Sequence, residues 1–164
     1  MTTQRGAPSP ALISIDLGTT RLKVAAFDAG GALLAQEAVR NREHRDDALA
    51  WQDPNEWWED SCELLQRLLA RPELERREVA GLSLSGRGGA GIFVDRGGDL
   101  LSPSWSDRRH SSQLAALAEW RSGGAQLSNY GMALIAKLTW LREHDAEAAE
   151  RVAHAMYAKD FLLF

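Results

Sequence analysis

With 164 residues, the chain is long enough to bury one sizeable core, and its 45% hydrophobic and 26% charged residues are typical of globular proteins. Its 19 basic and 23 acidic residues are interspersed and give a net charge of −4, which argues against a nucleic-acid-binding surface. No apolar run is long enough to cross a membrane and the start lacks a secretory signal, so we expect a cytoplasmic protein without nucleic-acid or membrane partners.

The domain organisation is expected to be simple. Residues 1–10 contain two prolines and no apolar stretch, which predicts a flexible tail, and residues 11–164 are expected to form one domain. The single cysteine, Cys62, excludes an intrachain disulfide, and its place in an amphipathic pattern favours a buried structural thiol over a nucleophile. The last residues, Phe161–Phe164, are apolar and lack a polar cap, from which we expect a truncated domain.

The first part of the chain predicts three strands and a helix. Apolar runs at 11–16, 21–28 and 32–40, separated by glycine-containing connections, indicate an opening meander. Asp53, Pro54 and Glu56 form a helix-start signal, and the apolar stripe that follows predicts a helix through Leu69 with Trp57 and Trp58 in the core.

The second part predicts alternating strands and helices. Residues 78–85 are expected to form a buried strand, followed by a glycine-rich loop, a strand at 92–94 and a turn at 96–99. Helices are predicted around 114–120, at 133–144 and at 146–154, with a break at 122–124 and a short strand at 155–158. Together these elements predict an α/β architecture with a mixed sheet.

The connection after the first strand is the sharpest local signal of chemistry. Asp16, Gly18, Thr19, Thr20 and Lys23 combine a tight turn, hydroxyl donors, a cation and an acid that can hold Mg²⁺ through water. Asp16 and Gly18 alone would more simply form a hairpin turn. The two threonines and the lysine favour a phosphate site.

Two later segments could bind a hydroxylated or anionic ligand. The loop at 86–91 is rich in glycine but lacks the spacing of known phosphate motifs; in it, Arg87 either pins a ligand or is a solvated surface arginine. Trp105, Asp107 and the arginines at 108–109 suit a polyol, because the ring can cover C–H groups and the carboxylate can accept from hydroxyls. The alternative is that Asp107 caps a helix. The four histidines show no metal-binding spacing.

In this order, the motifs resemble the N-terminal domain of the FGGY carbohydrate kinases over residues 12–162. The resemblance rests on five segments: 15–23 for the first phosphate motif, 51–58 for the tryptophan-rich helix start, 105–109, 132–144 for the first signature, and 158–162. It implies a ribonuclease H-like fold of the actin and hexokinase type.

The resemblance also implies ATP and Mg²⁺ as cofactors and a small-molecule sugar or polyol as substrate. Asp16 would organise Mg²⁺, Gly18, Thr19, Thr20 and Lys23 would form the phosphate site, and Arg87, Trp105 and Asp107 would lie at or near the sugar pocket. The general base would be an aspartate beyond Phe164, so this chain alone is expected to be inactive. A homodimer is a further expectation.

Two departures separate this chain from the pattern it resembles. Where related kinases carry Gln-Met-His-Gly or Gln-Arg-Glu-Thr in the sugar loop, this chain has Arg87, Gly88, Gly89 and Ala90; Leu134 also occupies a position that prefers a small or hydroxyl residue. The sugar therefore cannot be carried over. The alternative hypothesis is a degenerate, kinase-like regulatory protein that binds a sugar or nucleotide.

Overall fold

The computed structural model describes residues 10–89, 91–122 and 128–164. Over these ranges the strands are β1 (Ala11–Leu17), β2 (Arg21–Asp28), β3 (Leu33–Arg40), β4 (His44–Asp46), β5 (Leu49–Gln52), β6 (Val79–Gly86), β7 (Ile92–Val94), β8 (Leu100–Ser102), β9 (Ser104–Trp105) and β10 (His154–Met156). The helices are α1 (Pro54–Leu69), α2 (Ser111–Ser122), α3 (Asn129–His144), α4 (Ala146–Arg151) and α5 (Ala158–Leu163).

The described residues divide into two compact units. Unit 1 combines the chain up to Asn41 with Trp57–Gly86, and unit 2 combines Arg42–Glu56 with Arg87–Phe164.

Unit 1 is a four-stranded mixed sheet with most of α1. The strand order is β3-β2-β1-β6, with β1 antiparallel to β2, β2 antiparallel to β3, and β1 parallel to β6. Alternate residues of β1 and β2 are buried, as are Trp57, Leu64 and Leu68 of α1. An ion pair of 2.7 Å between Arg67 of α1 and Glu37 of β3 joins the helix to the sheet. The predicted meander and helix are confirmed.

Three burial predictions for unit 1 are wrong in part. Trp57 is in the core at 1% exposure, whereas its neighbour Trp58 is 55% exposed, because consecutive helical residues point in directions about 100° apart. β6 forms as predicted but is mostly exposed, since it is the last strand of the sheet order and lacks a partner on its outer side among the described residues. Cys62 is half-buried, which only partly matches the expected burial.

Unit 2 contains two small sheets and the remaining helices. The sheet orders are β10-β7-β8 and β4-β5-β9, and Phe93, Leu141 and Ala148 form a buried cluster. The predicted strand at 92–94, the turn at 96–99 and helices α2, α3 and α4 are confirmed, although α4 ends at Arg151 and not at 154. The strand predicted at 155–158 lies at 154–156 and is followed by helix α5. Residues 123 and 124, in the predicted break after α2, lie outside the described ranges.

In the part of the chain that the structure describes, no helix has the length and apolar character needed to span a membrane.

Candidate functional site

The turn between β1 and β2 brings the predicted phosphate-binding residues together in unit 1. The two strands pair in antiparallel register with Asp16 opposite Lys23. Both side chains are exposed, as are those of Thr19 and Thr20 within the turn. Because side chains alternate across a strand, the acid and the lysine share the face of the hairpin opposite to the core.

Gly18 closes this turn. Its N–H donates to the carbonyl oxygen of Arg21 at 3.0 Å. A Cβ atom at position 18 would lie 3.1 Å from that same oxygen, which is tighter than ordinary carbon–oxygen contact. Gly18 therefore forms a hairpin turn that presents the two threonines, and its place in a phosphate site stays a prediction.

Asn41, which sequence reasoning missed, fixes the turn from the end of β3. Its Nδ2 donates to the carbonyl oxygens of Gly18 at 3.0 Å and Thr19 at 3.2 Å, and its N–H donates to the carbonyl oxygen of Thr20 at 2.9 Å. Asn41 is only 6% exposed. All three turn carbonyls are therefore held by one buried residue, which leaves the threonine side chains on the outside.

The acid beside the turn fits a loosely held magnesium ion. Among the described residues, no group of three or more His, Cys, Asp or Glu is placed to hold a metal. Mg²⁺ usually keeps several waters and binds through one or two carboxylates plus substrate phosphates. As an exposed carboxylate next to exposed hydroxyls, Asp16 meets that requirement.

Arg87 is anchored in unit 2. Its Nη2 donates to Oγ of the fully buried Ser104 at 2.9 Å. Burial lowers the pKa of Arg87, and the charge of Glu43 partly opposes that shift. The guanidinium is thus held against β9, which disfavours the interpretation of a solvated surface arginine.

Trp105, next to Ser104, is surrounded by cationic and aromatic groups. Lys137 Nζ lies 4.3 Å from the centre of the Trp105 ring and the Arg109 guanidinium carbon lies 4.6 Å from it. The ring of Trp140 meets it edge-on at 4.8 Å between centroids. These contacts match favourable cation–π and T-shaped geometries, so they define the orientation of Trp105.

Asp107 is occupied by its own chain. Its carboxylate accepts hydrogen bonds from the N–H of Ala50 at 2.7 Å and from the N–H, Nε and Nη2 of Arg109 at 2.6 to 3.2 Å. Desolvation favours the neutral acid, but these donors outweigh it and hold the pKa of Asp107 below its usual value. The helix-cap alternative is wrong, because α2 begins four residues later at Ser111. Asp107 therefore holds Arg109 and Ala50 of β5 in place. Its contact with a sugar hydroxyl stays a prediction.

Lys137 of α3 joins the glycine-rich loop to the Trp105 segment. It is 3% exposed, and its Nζ donates to the carbonyl oxygens of Gly91 and Pro103. Burial, with a smaller contribution from Arg109, lowers its pKa well below the usual value. Sequence reasoning gave this lysine no individual role; the available signal was a cation within an otherwise apolar stretch of helix.

The predicted residues therefore form two groups. The phosphate-binding candidates share one hairpin turn in unit 1. The sugar-binding candidates are connected within unit 2, Arg87 through Ser104 and Asp107 through Arg109, which lies over Trp105.

The fold places the chain in a known class. It superposes on a xylulose kinase from Rhodospirillum rubrum with a TM-score of 0.81 at 21% identity, over 93% of this chain and 34% of that one. This likeness shows a ribonuclease H-like fold of the actin and hexokinase type, as expected.

The family follows from the sequence match. Residues 11–164 match the N-terminal domain of the FGGY family of carbohydrate kinases, and the chain belongs to this family. It is 29% identical to a xylulose kinase of Staphylococcus epidermidis over 93% of the chain and 32% of the relative. It is 32% identical to a glycerol kinase of Methylorubrum extorquens over 80% of the chain and 28% of the relative. The chain thus spans about a third of the length of these relatives.

Proposed function

We propose that this chain forms the N-terminal part of an ATP-dependent kinase that transfers the γ-phosphoryl group of ATP to a hydroxyl of a sugar or polyol. The observation that carries the proposal is the exposed hairpin turn, where Asp16, Thr19, Thr20 and Lys23 surround a backbone held by Asn41. Membership of a family of carbohydrate kinases supports it. The relatives named xylulose kinase and glycerol kinase support a small polyhydroxylated substrate.

The hairpin would bind the transferring phosphoryl group. The Thr19 and Thr20 hydroxyls are donors, and the Lys23 ammonium adds a positive charge on the same face as Asp16. Gly18 contributes by keeping the turn tight. Phosphoryl transfer depends mainly on positioning and on stabilisation of negative charge, and a rigid turn with exposed donors suits both demands.

Asp16 would hold Mg²⁺ through a water molecule. When bound, the ion supplies positive charge to the phosphate oxygens of the nucleotide. Asp16 is placed for this because its carboxylate lies on the exposed face next to the threonines.

The Trp105 segment would bind the sugar. The Trp105 ring suits the C–H face of a polyol, and the Arg87 guanidinium can donate to hydroxyls from its anchored position on Ser104. Asp107 would act at or near this pocket, at least by holding Arg109 over the ring.

The rest of the protein would complete catalysis. The general base is expected beyond Phe164, so we propose that the 164 residues alone do not turn over substrate. A cytoplasmic location and a homodimer stay predictions.

The test is ADP release by the full-length protein, measured with a coupled assay over pentuloses, hexuloses, aldonates and glycerol. Sugar-dependent turnover is expected for the wild type, and Asp16→Ala should lower it by about 100-fold or more. Glu75→Ala, which removes an exposed acid elsewhere in unit 1, is the matched control and should leave turnover unchanged. A folded wild type without turnover on any sugar would overturn the proposal and favour the degenerate binding protein.

A further inference from the structure

One face of α3 packs on the glycine-rich loop. Tyr130, Leu134 and Lys137 follow the spacing i, i+4 and i+7, which places them on the same side of a helix. Each of these side chains lies close to a loop glycine in unit 2. At two of these glycines, an added Cβ atom would lie too close to a side chain of α3.

The absence of a side chain at Gly88 leaves room for Tyr130, whereas the backbone of Gly88 does not itself favour glycine. A Cβ atom at position 88 would lie 2.6 Å from Cε1 and 2.8 Å from Cζ of the Tyr130 ring, distances that real Cβ atoms do not show. The positive-φ glycines of this loop include Gly89, at 78°, but not Gly88. The tyrosine ring therefore fills the space that a side chain at position 88 would occupy.

Gly91 stands in the same relation to Leu134. A Cβ atom at position 91 would lie 2.8 Å from Leu134 Cδ2 and 3.3 Å from Lys137 Cδ. Lys137 also bonds the carbonyl oxygen of Gly91. Side chains of α3 therefore fill the space beside this loop. The two departures from the family pattern, the loop glycines and Leu134, thus belong to one packing arrangement.

Tyr130 remains accessible to a ligand. It is 57% exposed, although its ring also meets Tyr157 edge-on at 6.2 Å between centroids. Its hydroxyl oxygen lies 3.1 Å from the Cβ position that Gly88 lacks. An exposed aromatic ring and a hydroxyl thus lie over the backbone of a loop that begins at Arg87.

We propose that Tyr130 is a specificity-determining residue of the sugar pocket, where its ring closes the space over Gly88 and limits the length of the sugar that fits. The proposal rests on the proposed function. The ring can pack on C–H groups of a polyol and the hydroxyl can bond a sugar hydroxyl, so α3 supplies the selectivity that the glycine loop cannot.

The experiment measures kcat and KM of the full-length protein on polyols and ketoses of three to seven carbons. Tyr130→Phe should raise KM for the preferred sugar by about 2- to 10-fold with kcat unchanged, since it removes one hydrogen bond. Tyr130→Ala should remove the ring over Gly88 and shift the ratio of kcat/KM for longer over shorter sugars by about 10-fold or more. Tyr157→Phe, which changes the tyrosine in edge contact, is the control and should keep the wild-type profile.

A second variant tests the packing itself. Gly88→Ala should displace the Tyr130 ring and change the sugar profile in the same direction as Tyr130→Ala. In the double variant, Gly88→Ala should add nothing to Tyr130→Ala, because the clash is gone. Gly88→Ala therefore tests the same contact if Tyr130→Ala folds poorly.

The outcomes separate the two proposals. A wild type without turnover on any sugar would overturn the proposed function and this inference with it. A wild type with turnover whose sugar profile is the same in Tyr130→Phe, Tyr130→Ala and Gly88→Ala would overturn the role of Tyr130 alone.

Discussion

Two buried polar residues, Asn41 and Lys137, bind backbone carbonyl oxygens next to the candidate site residues. Asn41 holds the turn that carries Thr19 and Thr20, and Lys137 holds the loop and the segment before Trp105. A buried donor bonded to carbonyls positions the backbone firmly, because a carbonyl left without a donor would cost about 1–3 kcal/mol. Asn41 and Lys137, which are not proposed to contact a ligand, thus position the residues that are.

Lys137 predicts a specific dependence of stability on pH. Burial lowers its pKa in the folded chain below the usual 10.5, so between these two values the unfolded chain binds more protons than the folded one. The free energy of unfolding should therefore rise with pH in that window, by up to about 1.4 kcal/mol per pH unit. Lys137→Met removes the titrating group, so the difference between wild type and variant should grow in favour of the wild type as the pH rises towards 10.5.

Urea unfolding of the two chains between pH 7 and pH 10 measures this difference. Lys23→Met, which removes an exposed lysine from the hairpin, is the control for the loss of a lysine side chain. If the Lys137→Met curve runs parallel to the wild-type curve, Lys137 does not titrate as its burial requires.

Helix α1 shows how an element divides adjacent residues between core and solvent. Trp57 is 1% exposed and Trp58 is 55% exposed, although the two have the same side chain and adjacent places in the helix. We expect Trp57→Ala to lower the free energy of unfolding by about 3–5 kcal/mol, because it leaves a large cavity. Trp58→Ala should change it by no more than about 0.5 kcal/mol. Urea unfolding followed by circular dichroism measures the free energy of unfolding of both variants. An equal decrease in the two would contradict the finding that Trp57 is buried and Trp58 is not.

The elements predicted from sequence are those with local signals. The start of α1 is predictable from sequence because its capping contact is local. The Asp53 carboxylate accepts a hydrogen bond from the N–H of Asn55, two residues away, at 2.8 Å. Strands β4, β5, β8 and β9 were not predicted, since each is only two to four residues long. In addition, Trp51 of β5 pairs with Trp105 of β9 from a distant part of the chain. Composition predicted strand β6 but not its exposure, which depends on its place at the end of the sheet order.

The candidate site residues also differ in whether local sequence signals could predict them. The residues from Asp16 to Lys23 were predictable because a hairpin brings neighbours in sequence together. Asn41 and Tyr130 were not, because their contacts with Gly18 and Gly88 join residues more than twenty positions apart. No periodicity or spacing reports such contacts.

At the scale of the whole molecule, unit 1 exposes apolar side chains on and beside the last strand of its sheet. Val79 and Leu82 of β6 are 48% and 53% exposed, and Leu12 of β1 is 44% exposed. β6 also ends the strand order, so within the described residues its outer backbone groups have no strand partner. An unpaired edge strand with apolar side chains is a template for pairing with another chain.

We therefore expect the 164-residue chain to self-associate through β6. Its mass by light scattering should rise with concentration, and the double variant Val79→Lys, Leu82→Lys should stay monomeric because charged edges oppose strand pairing. Leu69→Lys, at an equally exposed leucine at the end of α1, is the control and should associate like the wild type. Unchanged circular dichroism would show that the lysines act at the edge and not on folding. A wild type that is monomeric at all concentrations would mean that β6 does not pair, despite its exposed leucine and valine.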